Sequence, residues 1–536
     1  MTEHSRDDLH SELTAFAGFL AGLPSFVRQR MTVSQALSIV QQRLANREVQ
    51  LGAAIDRIFA NPRSPYGALL RHVGCTQEDA HELVAREGVE GALSALRGRG
   101  VYVSFEEFKG LQPIVRGSLS LTPSPADFDN PTAGRYYSTT TGGSTGTGRR
   151  VRLDLEHFAA LLPARIVVRH VQGLTGIPAA SWSDLPPGGG LKGVLLQAAA
   201  GEDATHWFTA RLHGKDGAAW RFRLATTATL AVARLSGARV RAPQFLPFER
   251  AVELAQWAAG QVARHGSCTI HASVSRILRI ALAAAEHGID LRGTILRGGG
   301  EPPTDAKVAH IRASGATFHS SYAFSEVGTV GSSCLSPEEC NDQHFMQDHL
   351  ALVQAARRVP GFDLEVPAFC FTSLLPSAPK LLFNVESDDY GTISHRRCGC
   401  TWEQLGFAVH LTGIRSFRKL TGEGVTLVGS DMERILDTVL PARFGGSALD
   451  YQFVEEEDAQ GFTRLVLRVA PHLAVTDEGA ITECVLESLE RTGAAGALAR
   501  SAWRQAGTVR IRREAPTMTT RGKLLPLDIG ARSVRS

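Results

Sequence analysis

The chain has 536 residues, with 57 Lys and Arg against 54 Asp and Glu and a net charge of +3. That length predicts roughly three domains, and 43% hydrophobic with 21% charged residues excludes a disordered chain. A charge this close to zero excludes a dedicated nucleic-acid surface, which needs concentrated Lys and Arg. The apolar stretches fall short of the ~20 residues of a membrane span, so no membrane partner is expected. The stretch Met1-Thr2-Glu3-His4-Ser5-Arg6-Asp7-Asp8 has neither the basic nor the apolar region of a secretory signal. Eight cysteines are too few for a disulfide scaffold, so a reducing cytoplasm is expected, with clustered cysteines as metal ligands.

Residues 8–60 read as helical, because Leu13, Phe16, Phe19, Leu20 and Leu23, then Ala36, Ile39, Val40 and Leu44, recur at helical steps. Pro62, Pro65 and Gly67 break the pattern, and a second helical block spans 68–98. Gly100–Phe105 is expected as a short strand, with a turn or helix beginning at Phe105, and 118–135 as loop. Between 190 and 330, β-rich and helical runs alternate. Leu191–Ala198, Ser267–Ala272 and Thr294–Leu296 are expected strands; Phe248–Ala263 and Val274–Glu286 are expected helices. That alternation predicts an α/β core with parallel strands. Residues 350–400 read as β. The remainder alternates strands at Val425–Val428, Tyr451–Glu455 and Leu465–Val469 with helices at Met432–Leu440 and Ala480–Arg491. It is expected as a small α+β domain.

The run from Ser138 to Arg150 is a phosphate-loop candidate. Its glycines let several N–H groups face one anion, its Ser and Thr hydroxyls add donors, and Arg149 and Arg150 add charge. It is not a Walker A loop, since Arg149-Arg150 stands where Lys-Ser/Thr is required. A dinucleotide fingerprint is also rejected: the stretch has too many hydroxyls, and no strand is expected to run directly into it. Thr141-Gly142-Gly143-Ser144-Thr145-Gly146 resembles the phosphate loop of the adenylate-forming superfamily of acyl-CoA ligases. Gly148, Arg149 and Arg150 depart from that family's Pro-Lys-Gly.

Further segments resemble the same family in the same order. Gly299-Gly300-Glu301-Pro302 resembles its Gly-Gly-Glu-Pro segment beside the adenine. Tyr322 and Ser325-Glu326 resemble its aromatic-hydroxyl-Glu motif, which implies Tyr322 at the adenine, Ser325 at the α-phosphate and Glu326 on Mg²⁺. Asp388-Asp389 resembles the Gly-Asp whose carboxylate takes the ribose hydroxyls; Asp389 is preferred, with Asp388 as fallback. Arg415 and Gly424 match the hinge, while Phe417-Arg418 replaces its acids. Gly522-Lys523 resembles the catalytic Gly-Lys, which implies that Lys523 neutralises charge during adenylation. His271, Ser273 and Ser275 are candidates to line the acid pocket.

Cys398-Gly399-Cys400 lies downstream of Cys334, Cys340 and His344. Three thiolates and an imidazole suit a tetrahedral, structural Zn²⁺. The expected ligands are Cys340, His344, Cys398 and Cys400, with Cys334 as a substitute. A Cys-x-Cys at this place resembles the phenylacetate–CoA ligase branch, as do Ser64-Pro65-Tyr66 and Phe105-Glu106-Glu107-Phe108-Lys109. That branch includes acyl-protein synthetases.

The resemblance implies an α/β fold: a large N-terminal adenylation domain with parallel sheets and a helical N-terminal region, plus a small mobile α+β C-terminal domain. Residues 1–130 are expected as the helical region, 131–412 as the nucleotide-binding core with a β-rich part, and 413–536 as the C-terminal lid. It implies ATP, Mg²⁺ and a small carboxylic acid as substrates and cofactor, Ser144, Thr145 and Gly146 on phosphate, and CoA or a carrier or protein thiol as acceptor. A nitrogen nucleophile is the alternative acceptor, and a non-catalytic nucleotide-binding protein the alternative outside catalysis.

Overall fold

The computed structural model describes residues 3–130, 136–141, 149–186, 188–210, 219–324, 326–358, 365–416, 419–422, 425–428, 432, 434–475, 477–490, 494–517 and 527–528. Helices α1 (Glu3–Val27), α2 (Val33–Ala45), α3 (Arg47–Ala60), α4 (Pro65–His72) and α5 (Gln77–Gly98) come first. Local chemistry starts them: Thr32 with Gln35 and Thr76 with Asp79 form capping boxes, and Pro65 occupies the first turn of α4 after the Ser64 cap. The expected strand at 100–105 is reduced to a single bridge, Val103 to Val385, because Ser104 and Glu107 cap a short helix α6 (Phe105–Phe108) there. The hairpin β1 (Ile114–Arg116) and β2 (Leu119–Leu121) follows.

A second hairpin, β3 (Tyr136–Thr141) with β4 (Arg149–Asp154), flanks the glycine-rich run. A strand therefore does lead directly into that run, contrary to expectation. It is followed by another strand rather than a helix, so the dinucleotide fingerprint is still not met.

The chain then alternates through α7 (Leu155–Val171), β5 (Ala179–Trp182), α8 (Gly190–Ala199), β6 (His206–Thr209), α9 (Ala219–Leu235), β7 (Gln244–Phe245), α10 (Val252–His265), β8 (Cys268–Ser273), α11 (Val274–Glu286), β9 (Thr294–Gly299), α12 (Asp305–Ala313) and β10 (Thr317–Phe324). The expected strand at 191–198 is helix α8. Most of that run is buried, and a short apolar run has no clear period to separate helix from strand. Six strands follow: β11 (Gly328–Ser333), β12 (Gln343–Phe345), β13 (Leu350–Arg358), β14 (Glu365–Ser373), β15 (Val385–His395) and β16 (Val409–Ser416).

Twelve of these strands form one sheet in the order β13-β14-β15-β16-β12-β11-β10-β9-β8-β5-β6-β7. The pairs from β10 to β7 are parallel, and those from β10 to β13 antiparallel. The fold is therefore mixed α/β, as expected. The parallel half is covered on both faces, with α10, α11 and α12 sharing one core and α7 and α8 another. The antiparallel half packs on α3 to α5.

Beyond it lie a hairpin of β17 (Lys419–Gly422) and β18 (Val425–Val428) and a four-stranded sheet. That sheet contains β19 (Tyr451–Glu457), β20 (Thr463–Val469), β21 (Val509–Arg512) and β22 (Leu527–Asp528), with helices at Glu478–Glu490 and Ala494–Ala506. It sits on the α11–α12 side: Lys307 Nζ donates to Thr463 Oγ1 at 3.1 Å, and the Arg279 guanidinium lies 4.5 Å from the Phe462 ring centroid. No helix among the described residues is long and apolar enough to cross a membrane.

Candidate functional site

Strand β9 ends in Gly298-Gly299 and turns at Gly300, and the spacing between β9 and β10 requires small residues there. A Cβ on Gly298 would stand 2.8 Å from the Phe318 ring, and one on Gly299 2.8 Å from Ser321 Oγ. Gly300 has φ of 74°, a turn that favours glycine. This turn forms one wall of a pocket of ≈ 220 Å³.

The pocket gathers Gly300, Glu301 and Pro302 from the end of β9, Tyr322 from β10, Asp389 from β15 and Arg415 from β16. Six predicted residues from four segments thus meet. Tyr322 Oη donates to Asp389 Oδ2 at 2.6 Å. Burial, reinforced by the Asp389 charge, pushes the Tyr322 hydroxyl well above its ordinary pKa, so it stays a donor. Ser387 Oγ accepts from the Asp389 N–H at 3.1 Å, and Ser416 Oγ donates to the Asp388 carbonyl at 3.2 Å, which fixes the loop carrying both acids. Glu301 is buried and accepts from Ser275 Oγ. Ser275 thus braces the turn instead of standing free in an acid pocket.

Asp388 and Asp389 take different positions. Asp389 lines the larger pocket and also a smaller one of ≈ 90 Å³; Asp388, 1% exposed, lines the smaller one alone. The smaller pocket also carries Glu326, Phe105 and Lys109. The carboxylates of Glu326, Asp388 and Asp389 are hard oxygen donors of the kind Mg²⁺ prefers, so this donor set fits that ion.

Thr141 closes β3 at the mouth of the glycine-rich run. Gly142, Gly143, Ser144, Thr145 and Gly146 lie outside the described residues, as do Ser325 and Lys523. Asn341 and Gln343 line the larger pocket without having been singled out from sequence. They come from a loop and an antiparallel strand with no motif. Asn341 Oδ1 accepts from the Gly413 N–H at 3.1 Å, and Gln343 Nε2 donates to Ser320 Oγ at 3.2 Å.

On the far side of β11, Cys334, His344, Cys398 and Cys400 place their ligand atoms within 4.8 Å of one another. Cys340 does not belong to this group. Its Sγ lies 3.6 Å from the Pro303 carbonyl, and Cys334, the substitute, takes its place. The reason is topological: Cys334 directly follows β11, which pairs with the strand bearing His344, whereas Cys340 lies at the end of the intervening loop.

The cluster fits zinc. His344 Nε2 lies 3.2 Å from Cys400 Sγ and 3.6 Å from Cys398 Sγ, against about 3.6 Å for N and S ligands of a tetrahedral Zn²⁺. His344 Nδ1 donates to the Phe407 carbonyl at 2.7 Å, which turns the Nε2 lone pair toward the thiols. Burial opposes ionisation of Cys400. Hydrogen bonds from the backbone N–H groups of Leu335, Glu403 and Trp402 and from Cys398 outweigh it and hold this thiol below its ordinary pKa. All four positions are protein ligands, so the set matches a closed, structural site.

A scan against protein-family models finds no match, and no curated protein matches. Solved structures do resemble the fold. The o-succinylbenzoate CoA synthetase of Bacillus subtilis is 13% identical, covering 73% of this chain and 67% of that one at a TM-score of 0.43. An amide bond synthetase from Marinactinospora thermotolerans is 15% identical, covering 90% of this chain and 92% of that one at a TM-score of 0.39. An acyl-CoA synthetase of Brucella canis is 16% identical, covering 73% and 63% at a TM-score of 0.30. At such TM-scores the similarity carries no functional weight, and the reading of function rests on this chain's own residues.

Proposed function

We propose that this protein is an ATP-dependent, AMP-forming ligase that joins a carboxylic acid to a thiol, of the phenylacetate–CoA ligase and acyl-protein synthetase type. The observation that carries the reading is the pocket where Gly300-Glu301-Pro302, Tyr322, Asp389 and Arg415 meet. These residues were singled out separately, by order along the chain, and chance gives no reason for them to converge.

In this reading the glycine turn admits the flat adenine, Tyr322 packs beside it, and Asp389 accepts from the ribose hydroxyls. Ser144, Thr145 and Gly146, with Thr141, Gly142 and Gly143, cradle phosphate through N–H and O–H donors. Ser325 lies at the α-phosphate. Glu326 would hold Mg²⁺, which supplies charge neutralisation at the phosphates when bound. The acid's carboxylate oxygen attacks the α-phosphorus and pyrophosphate leaves, with Lys523 neutralising the developing charge. The thiol sulfur then attacks the acyl carbon, AMP departs, and the thiol proton is released. The C-terminal segment 413–536 acts as a mobile lid between these steps. Zinc at Cys334, His344, Cys398 and Cys400 pins the β-rich part and takes no part in the reaction. None of the eight cysteines is in a disulfide.

ATP–pyrophosphate exchange across aryl and fatty acids tests this reading. Acid-dependent exchange is expected, falling to background in Lys523→Ala. ATP binding without exchange for any acid supports a non-catalytic nucleotide-binding protein instead. The replacement of the hinge acids by Phe417-Arg418 favours a second acceptor class, an amine. Offering the acyl-adenylate thiols and amines in competition decides between them. For the metal, elemental analysis is expected to find about one zinc per chain, lost in Cys400→Ala but retained in Cys340→Ala. The reverse pattern would reject the ligand set.

A further inference from the structure

Strands β8, β9 and β10 are in parallel register, with His271 opposite Arg297 and Arg297 opposite His319. Paired residues share a face, so the three side chains form one row across the sheet. The neighbouring positions Ile270, Ala272 and Leu296 point the other way, into the core under α10–α12. Helices α7 and α8 bring Arg165, Arg169 and Lys192 to the face that carries the row. Arg165 Nη2 reaches the Gly193 carbonyl of α8 at 3.5 Å, and electrostatic coupling links Arg297 to Arg165 and Arg169.

Four permanent cations therefore crowd a region with one facing acid, Glu202, which is bound to Arg169. The charged groups of Arg297 and Lys192 have no hydrogen-bond or ion-pair partner among the described residues, Lys192 Nζ lying 5.5 Å from the Phe158 ring centroid. Arg297, Lys192 and His319 are nevertheless only half-buried and His271 is exposed, so the row is open to solvent. Burial, with the neighbouring arginines, lowers Arg297 to about 9 and Lys192 to about 8. Glu202 offsets only part of this at Arg297. Such charges are costly unless something pairs with them.

The row is continuous with the nucleotide pocket. Arg297 and His319 lie two residues before Gly299 and Ser321 on the same face, about 7 Å along the strands, and Ser321 lines the pocket. We infer that the acid substrate is a dianion: one carboxylate is activated at the nucleotide, and a second carboxylate is held by Arg297, with Lys192 and Arg165 behind it. This rests on the ligase reading for the first carboxylate but not for the anion site itself.

The test uses the full-length protein and paired probes: glutarate, adipate and isophthalate against valerate, hexanoate and benzoate. Exchange is expected to favour the dicarboxylates, and Arg297→Leu to lower the ratio of dicarboxylate to monocarboxylate kcat/KM by about 30-fold or more. Calorimetric titration with the same dicarboxylates is expected to detect binding that Arg297→Leu and Lys192→Met weaken. If exchange fails for every acid while this binding persists, the ligase reading falls and the anion site stands. No dicarboxylate binding, equal loss for both acid classes, or a rise confined to KM for ATP overturns the inference, the last assigning the row to phosphate. Thermal melting guards against misfolding: relief of like-charge crowding is expected to leave Arg297→Leu no less stable. A large fall in Tm would make Arg297 structural and also overturn it.

Discussion

The two faces of the parallel strands share one backbone but have opposite chemistry. On the α10–α12 face, Ile270, Ala272 and Leu296 are at most 3% exposed and pack among aliphatic neighbours. On the α7–α8 face, one residue along each strand, His271 is exposed and Arg297 half-buried. The alternation of β9 thus separates core from proposed site. The contrast also explains where ions are tolerated. Under the apolar face, the Arg276 charge has a counter-ion: it pairs with Asp184 and donates to the Trp182 carbonyl at 2.9 Å. Arg297 has no such partner among the described residues.

The sharpest way to break this contrast is to remove that counter-ion. Asp184→Ala leaves the Arg276 charge buried and half-paired, and a loss of about 3–5 kcal/mol is expected in urea unfolding. An unchanged midpoint would mean that water reaches this pair and that the apolar face is not sealed. Leu296→Ala, beside Arg297 but facing the core, is expected to cost about 2–5 kcal/mol, the spread depending on how far the cavity closes. Comparable destabilisation by Leu296→Ala and Arg297→Leu would erase the distinction between the faces. The smallest effect belongs to the pocket proposed to take the nucleotide. Asp389→Ala removes the acceptor of the Tyr322 hydroxyl and, under the proposed function, of the ribose, an interaction of about 1.5–3 kcal/mol. It is expected to raise KM for ATP by about 10- to 150-fold with little shift in Tm. A fall in kcat at unchanged KM would move Asp389 from binding to chemistry.

Much of the site was legible in the residues. The Gly-Gly-Glu-Pro turn, Tyr322, Asp389 and Arg415 were named from motif order, and they share a pocket. What escaped were walls such as Asn341 and Gln343, because a residue that lines a pocket from an unrelated segment leaves no local pattern. The Cys/His cluster shows the same limit. Cysteine spacing named the cluster but ranked Cys340 over Cys334, and only the pairing of β11 with β12 reverses that order.

The sequence by itself determined what depends on a few consecutive residues. The helix Val274–Glu286 emerged with the expected bounds from its period, α2 and α5 begin at their capping residues, and the β character of 350–400 followed from composition. Where apolar residues fill both faces, as in Gly190–Ala199, even that period fails. Only the tertiary structure decided that His271, Arg297 and His319 stand in one row. Their separation along the chain carries no signal, since register is set when strands pair across intervening helices and one residue of slip would turn Arg297 into the core.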